Sequence, residues 1–195
     1  MSWQIVRLAD VPPSPWRNGG GVTRELVAWP PHAPGQDWVW RMSVAEVESS
    51  GPFSRFDGVQ RWFTVLGGAG VWLTLDTATG AQTHALTRSS APLCFDGAVP
   101  TQCDLLNGAT QDFNLMLRSG KATGRMQRVA GVLTVTTVAP KLVAAYALST
   151  GASVCFEHET LAIPAHSLAW RTVPAGGQVR IQAADALCME IALCP

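Results

Sequence analysis

Charge is scarce in this chain. Acidic and basic residues supply 14% of its 195 positions and balance at 14 each, where an ordinary soluble domain carries about a quarter charged residues. The first 98 residues hold 7 basic and 8 acidic side chains and the remainder 7 and 6. Neither half therefore carries a cationic stripe able to neutralise phosphates, which excludes nucleic acid as an expected partner. Lysine is nearly missing, with 2 residues against 12 arginines; the bias suits planar recognition of carboxylates, although high-GC codon usage leaves the same imprint. No apolar run approaches the ~20 residues of a membrane span, and residues 1–7 lack the apolar core of a signal peptide, so no membrane partner and a cytoplasmic location are expected.

Metal-binding spacings are absent too. Cys94, Cys103, Cys155, Cys188 and Cys194 form no Cys-x-x-Cys pair, and their odd number argues against a disulfide framework as well as a zinc site. The histidines His32, His84, His158 and His166 fall in segments that read as loops or strand ends, with no His-x-His spacing. The expectation is that the protein uses no metal and no other cofactor.

What is present is a chain that is 47% apolar, enough for a substantial core, punctuated by 18 glycines and 13 prolines. Strand-like segments recur at 3–8, 22–29, 38–46, 60–66, 71–75, 92–95 and 112–117, then at 131–138, 142–148, 153–157, 160–163, 167–171, 178–182 and 187–193. No segment holds a helical apolar period over three turns. Many short strands between turn signals predict an all-β sandwich or barrel. Near residue 120 tryptophan and aspartate become rare and the strands turn to plain Val, Ala and Leu, which divides the chain into a lobe at 1–120 and a simpler one at 121–195.

Three strands offer short polar rows. The strand period of two puts Trp38, Trp40, Met42 and Val44 on one side and Arg41, Ser43 and Ala45 on the other. Thr23, Glu25 and Val27 share a side by the same count, as do Asp112, Asn114 and Met116. The loop Trp16-Arg17-Asn18-Gly19-Gly20-Gly21 opens the second strand. Its glycines either present N–H groups to an anion beside Arg17 or serve a bulged hairpin. Arg61 begins a strand after Phe56-Asp57-Gly58, and its partner is either internal, Asp57 or Glu25, or a ligand.

The segment Trp16 to Glu25, the row Arg41-x-Ser43-x-Ala45, the stretch Gly51 to Arg61 and the run Asp112-Phe113-Asn114-Leu115-Met116 together resemble the HutD/Ves family of bicupins. Residues 125–195 resemble it only as a degenerate cupin lobe. The resemblance implies two stacked jelly-roll β-barrels of the cupin type and an association with histidine utilisation, where binding of N-formylglutamate or a related intermediate has been proposed. Where a cupin's first motif holds His-x-His and Glu, this chain has Phe56, Gly58 and Arg61. That departure removes metal-dependent oxygenase and hydrolase chemistry from expectation.

Two functional readings follow. In the first, a non-catalytic sensor binds a small mono- or dicarboxylate through Arg17, Asn18, Gly20, Thr23, Glu25, Arg41, Ser43, Arg61, Asp112 and Asn114. Arg41→Ala then weakens binding by about 2 kcal/mol. The structural counterpart is that Arg41 pairs with Glu25 across adjacent strands and Asp112 caps a turn. In the second, a metal-independent isomerase or hydrolase acts on a similar metabolite, with Glu25 as the base. A contact patch of tryptophans such as Trp29, Trp38 and Trp40 is a third possibility, with most of these residues expected in the core instead, and the low charge suits a homodimer.

Overall fold

A computed structural model describes residues 2–31 and 37–194; His32 lies outside the described residues. Among them are seventeen strands and one short 3-10 turn, so the chain is all-β. It divides into two compact units, one made of residues Pro12–Ser119 and the other of the residues up to Val11 together with those from Gly120 onward.

In the second of these, β1 (Gln4–Arg7) pairs antiparallel with a strand far along the chain, and the turn Leu8–Asp10 follows it. The Pro12–Ser119 unit contains β2 (Ser14–Pro15), β3 (Gly21–Trp29), β4 (Trp40–Val47), β5 (Gly51–Pro52) and β6 (Val59–Gly67). It continues with β7 (Val71–Thr77), β8 (Gly80–Leu86), β9 (Leu93–Asp96), β10 (Thr101–Leu105) and β11 (Thr110–Arg118). The other unit is completed by β12 (Ala122–Thr136), β13 (Lys141–Ala147), β14 (Ala152–Phe156), β15 (Glu159–Ile163), β16 (Ser167–Val173) and β17 (Gln178–Leu193).

The Pro12–Ser119 unit sets a six-stranded sheet, β2-β3-β4-β11-β6-β9, against a four-stranded one, β5-β10-β7-β8. Val47, Phe53, Phe63, Val65, Leu73, Phe95 and Cys103 form its core. All but Phe53, which follows β5, are apolar members of period-two strands, and their burial removes one face of each sheet from water. The other unit is a single seven-stranded sheet, β1-β16-β13-β17-β14-β15 with β12 also paired to β17. The 16-residue β17 makes this possible: β14 pairs along its first part, β13 along its last, and β12 along its whole length. Its core is built mainly of Val and Ala, with Ile in place of the Leu expected from sequence, and includes Val143, Ala145, Val154, Ile163 and Ile181.

Four sequence expectations need correcting. Residues up to Val11, assigned on composition to the first lobe, belong to the other unit, because β1 completes its hydrogen bonds on β16, with Gln4 opposite Trp170. The strands β8, β10 and the first half of β12 are absent from the sequence reading. β8, Gly-Ala-Gln-Thr-His-Ala-Leu, is an exposed edge strand without apolar alternation, and it carries His84 mid-strand rather than in a loop. Val27 does not share a side with Thr23 and Glu25, because a register shift between Glu25 and Val27 sets Val27 opposite Met42. Asp112 caps no turn; it sits inside β11.

Candidate functional site

The register of the six-stranded sheet builds one polar surface from three distant segments. Ser43 of β4 stands opposite Asn114 of β11, and Met116 of β11 stands opposite both Arg41 of β4 and Arg61 of β6. Directly opposed residues share a face, so these side chains form a patch on one side of the sheet. They line a cavity of about 540 Å³ within the Pro12–Ser119 unit, bordered by Trp16, Arg17 and Asn18 and by Pro52, Phe53, Ser54 and Phe56.

Arg61 is the centre of this cavity wall. It is 7% exposed, and its guanidinium lies over the Phe53 ring at 4.4 Å and 5.6 Å from that of Phe95. Its Nε donates to Oδ1 of Asn114 at 2.8 Å. Its two terminal nitrogens make no hydrogen bond, and no acidic side chain pairs with it, among the described residues. Burial lowers its pKa to about 10, aided by the nearby Arg41 charge and opposed by Asp112, so it is cationic at neutral pH. A buried cation that lacks an ion-pair partner of its own is costly, and a bound carboxylate would relieve that cost with two parallel hydrogen bonds.

Behind the wall, Asn114 Nδ2 donates to Asp112 Oδ1 at 2.6 Å. Asp112 is 1% exposed, and its Oδ2 has no hydrogen-bond partner among the described residues. Burial pushes this carboxyl up to about 7, against the opposing pull of the Arg61 charge and the Asn114 hydrogen bond.

Of the ten residues proposed from sequence, Arg17, Asn18, Thr23, Arg41, Ser43, Arg61 and Asn114 line the cavity. Arg41 is largely spoken for. Its Nε donates to Glu25 Oε2 at 2.5 Å and its Nη1 to Met116 Sδ at 3.8 Å, so the cross-strand pairing is the arrangement found. Glu25 is therefore Arg41's counterion and lies off the cavity wall, as does Asp112.

Gly20 is also off the wall, since the glycine loop serves its own hairpin. Gly20 N donates to Asn18 Oδ1 at 3.1 Å, and its carbonyl accepts from Glu48 and Ser49. Gly19 adopts φ +69 and donates to the Trp16 carbonyl. At Gly21 a Cβ would sit 2.1 Å from the Glu46 carbonyl oxygen, so only glycine allows β3 and β4 to approach there.

The aromatic part of the wall was not nominated from sequence. Trp16 meets Phe53 edge-on with ring centroids 6.3 Å apart, and its Nε1 donates to Thr23 Oγ1 at 2.7 Å. Phe56 and Met116 add to the apolar lining. The signal lay in the same motifs, where Trp16 and Phe53 flank the glycine and proline turns.

The donor set does not suit a metal. Where a cupin metal site would draw on histidines and a carboxylate, the cavity offers three guanidinium groups, two amides, hydroxyls and a thioether. No group of three or more His, Cys, Asp or Glu side chains able to hold an ion occurs among the described residues. No helix among them is long and apolar enough to cross a membrane.

The fold and this cavity define a cupin-like all-β protein with a cationic, metal-unsuited pocket. The HutD family profile matches residues 8–189, and the chain belongs to that family. It is 40% identical over 125 residues, 64% of its own length, to an uncharacterised 21.2 kDa protein in the hutC 3′ region of Pseudomonas putida. It is 35% identical over 121 residues to protein Ves of Citrobacter koseri. The matches span 63% and 60% of those two relatives.

Among solved structures, HutD from Pseudomonas fluorescens SBW25, in a formate condition, superposes with TM-score 0.85 at 28% identity over all of both chains. A conserved protein of unknown function from Pseudomonas aeruginosa PAO1 gives 0.81 at 30%, also over all of both chains. An oxalate decarboxylase from Lactobacillus farciminis, 10% identical with TM-score 0.64 over 98% of this chain and 86% of its own, shares the fold.

Proposed function

We propose that the protein is a cytoplasmic, non-catalytic sensor or regulator of the bicupin type, linked to histidine utilisation, whose Pro12–Ser119 barrel binds a small carboxylate such as N-formylglutamate. The observation that carries this reading is Arg61, a buried guanidinium on the cavity wall with both terminal nitrogens available. A carboxylate meeting those nitrogens bidentately gains charge-assisted hydrogen bonds against a largely buried guanidinium. Ser43, the Thr23 hydroxyl and the Asn18 amide supply neutral groups for an amide or formyl function, and Arg17 stands exposed at the rim for a second carboxylate. A volume of about 540 Å³ falls in the range of metabolite sites. The link to histidine utilisation draws support from the Pseudomonas putida relative, described as lying in the hutC 3′ region.

Binding without turnover is favoured by the lining itself. Among the described residues it contains no Asp, Glu, His, Lys, Tyr or Cys side chain, so its hydroxyls, Ser14, Thr23, Ser43 and Ser54, have no general base beside them in the lining to activate them. Glu25, the base of the enzyme reading, faces Arg41 instead.

Calorimetric titration of the purified protein with N-formylglutamate, glutamate, urocanate and histidine tests the proposal. The expected result is submillimolar binding of at least one acid by the wild type, lost in Arg61→Ala. Absence of submillimolar binding by any of the four overturns it, and metal-independent turnover of one would replace it with the enzyme reading.

A further inference from the structure

The proposed site leaves one buried group unused, the Asp112 carboxyl behind Asn114. The Asn114 amide is locked from both sides, accepting from Arg61 and donating to Asp112, so anchor and acid are joined through a single side chain. Asp112 Oδ2 is buried and unpartnered among the described residues.

The charged and titratable groups around this acid are few. Arg61 comes from β6, Arg41 from β4, and the Cys103 thiol from β10 with Asp104 next to it. His84 of β8 lies beyond Leu73 in the row that begins at Cys103. On β3, Glu25 is held by Arg41. Cys103 is pushed up to about 12 by burial and by Asp112, so it stays a thiol and takes no part in proton exchange near neutrality. The positive charge chiefly favouring an ionised Asp112 is therefore that of Arg61.

We propose that Asp112 takes up a proton when an organic acid binds Arg61, so that the ligand anion is held against a neutral buried carboxyl. This rests on the reading of the cavity as a carboxylate site. An anion at the terminal nitrogens of Arg61 cancels the field that keeps Asp112 ionised, and two buried anions sharing one cation are unfavourable. The proton comes from solvent, and no covalent bond of the ligand changes. Asp112 is thus a positioning and charge-compensating residue, with no contact to the ligand.

The sign follows from linkage. Burial already places the free carboxyl at about 7, and a bound anion moves it further up. Binding therefore consumes a proton at pH 8, where free Asp112 is mostly ionised, and none at pH 5.5, where it is already neutral. Affinity is flat below pH 6 and falls by up to about tenfold per pH unit above 7.

The test is titration calorimetry with N-formylglutamate, whose blocked amine does not titrate, in buffers of low and high ionisation enthalpy at pH 5.5 and 8. Alongside it, the carbon-13 signal of the Asp112 carboxyl is followed against pH with and without the acid. Expected are an uptake of about one half to one proton per ligand at pH 8, near zero at pH 5.5, zero at both in Asp112→Asn, and a ligand-induced rise of the wild-type carboxyl midpoint. Binding with zero uptake at pH 8 and an unmoved carboxyl overturns this proposal alone. If N-formylglutamate produces neither heat nor a carboxyl shift, the inference fails for that acid, and binding of another acid in the earlier titration shows that the carboxylate site itself survives. The carboxyl titration needs no variant, so a poorly folding Asp112→Asn leaves the outcome decisive.

Discussion

Arg61 and Asn114 lie 53 residues apart and meet through one hydrogen bond, Nε to Oδ1 at 2.8 Å. That bond turns the guanidinium so that its two terminal nitrogens stay uncommitted on the cavity wall, while Phe53 supports its flat face. A side chain held on three sides and left open on the fourth loses little freedom when it binds.

Arg61→Ala should weaken binding of the preferred acid by about 2 to 3 kcal/mol, roughly 30- to 150-fold, the scale of lost charge-assisted contacts. Arg61→Lys should recover only a small part, because an ammonium cannot hold Asn114 and a carboxylate together in one plane. Arg41→Ala should cost less than about 1 kcal/mol, because Glu25 already takes its Nε. Titration of the three variants checks the order; an Arg41 effect equal to that of Arg61 would reverse the assignment.

Asp112 should give the unliganded protein a distinctive stability profile. Its folded carboxyl sits at about 7 against an ordinary 3.8, so the folded state binds this proton more tightly than the unfolded chain. Stability from this group is greatest below pH 4, declines as pH rises from about 4 to 7, and levels off above. Arg61, held near 10, stays charged across that window and adds no slope. Melting temperature against pH, with Asp112→Asn showing a flatter curve between 5 and 7, is the measurement.

Gly21→Ala should destabilise the fold by about 2 kcal/mol or more, because the new methyl would lie 2.1 Å from the Glu46 carbonyl oxygen and force β3 from β4. Gly51→Ala, with nothing within 4 Å of the added carbon, should change stability by less than about 0.5 kcal/mol. Urea unfolding of the two variants provides the comparison.

Phe53→Leu preserves an apolar side chain but removes both the ring under Arg61 and the edge contact with Trp16. A loss of about 1 to 2 kcal/mol in stability is expected, with weaker acid binding as the anchor gains freedom. Unfolding and titration of one sample read both effects; unchanged binding would mean that Phe53 supports only the core.

Much of the site was legible before folding because strands repeat every two residues. Counting along 41–45 and 112–116 groups Arg41 with Ser43, and Asn114 with Met116, and the structure places these four on the cavity wall. The count failed at Leu26, where a bulge takes Val27 out of the row, since an extra residue in one strand leaves no mark in composition. It was also blind to β8, whose exposed edge position demands no apolar alternation.

The amino-acid order by itself determined the all-β character and two of the three polar rows, because alternation and turn residues act over a few neighbours, and its motifs carried the resemblance to the HutD/Ves family. It could not decide which arginine stays open. That depends on which carboxylate comes within reach across strands: Glu25 reaches Arg41 from 16 residues away, whereas Arg61 is met by an amide 53 residues on. Nor could it place residues 4–7, whose hydrogen bonds are completed by β16, more than 150 positions later. Ion pairing and strand pairing are set by distance in space, and only the tertiary structure supplies that distance.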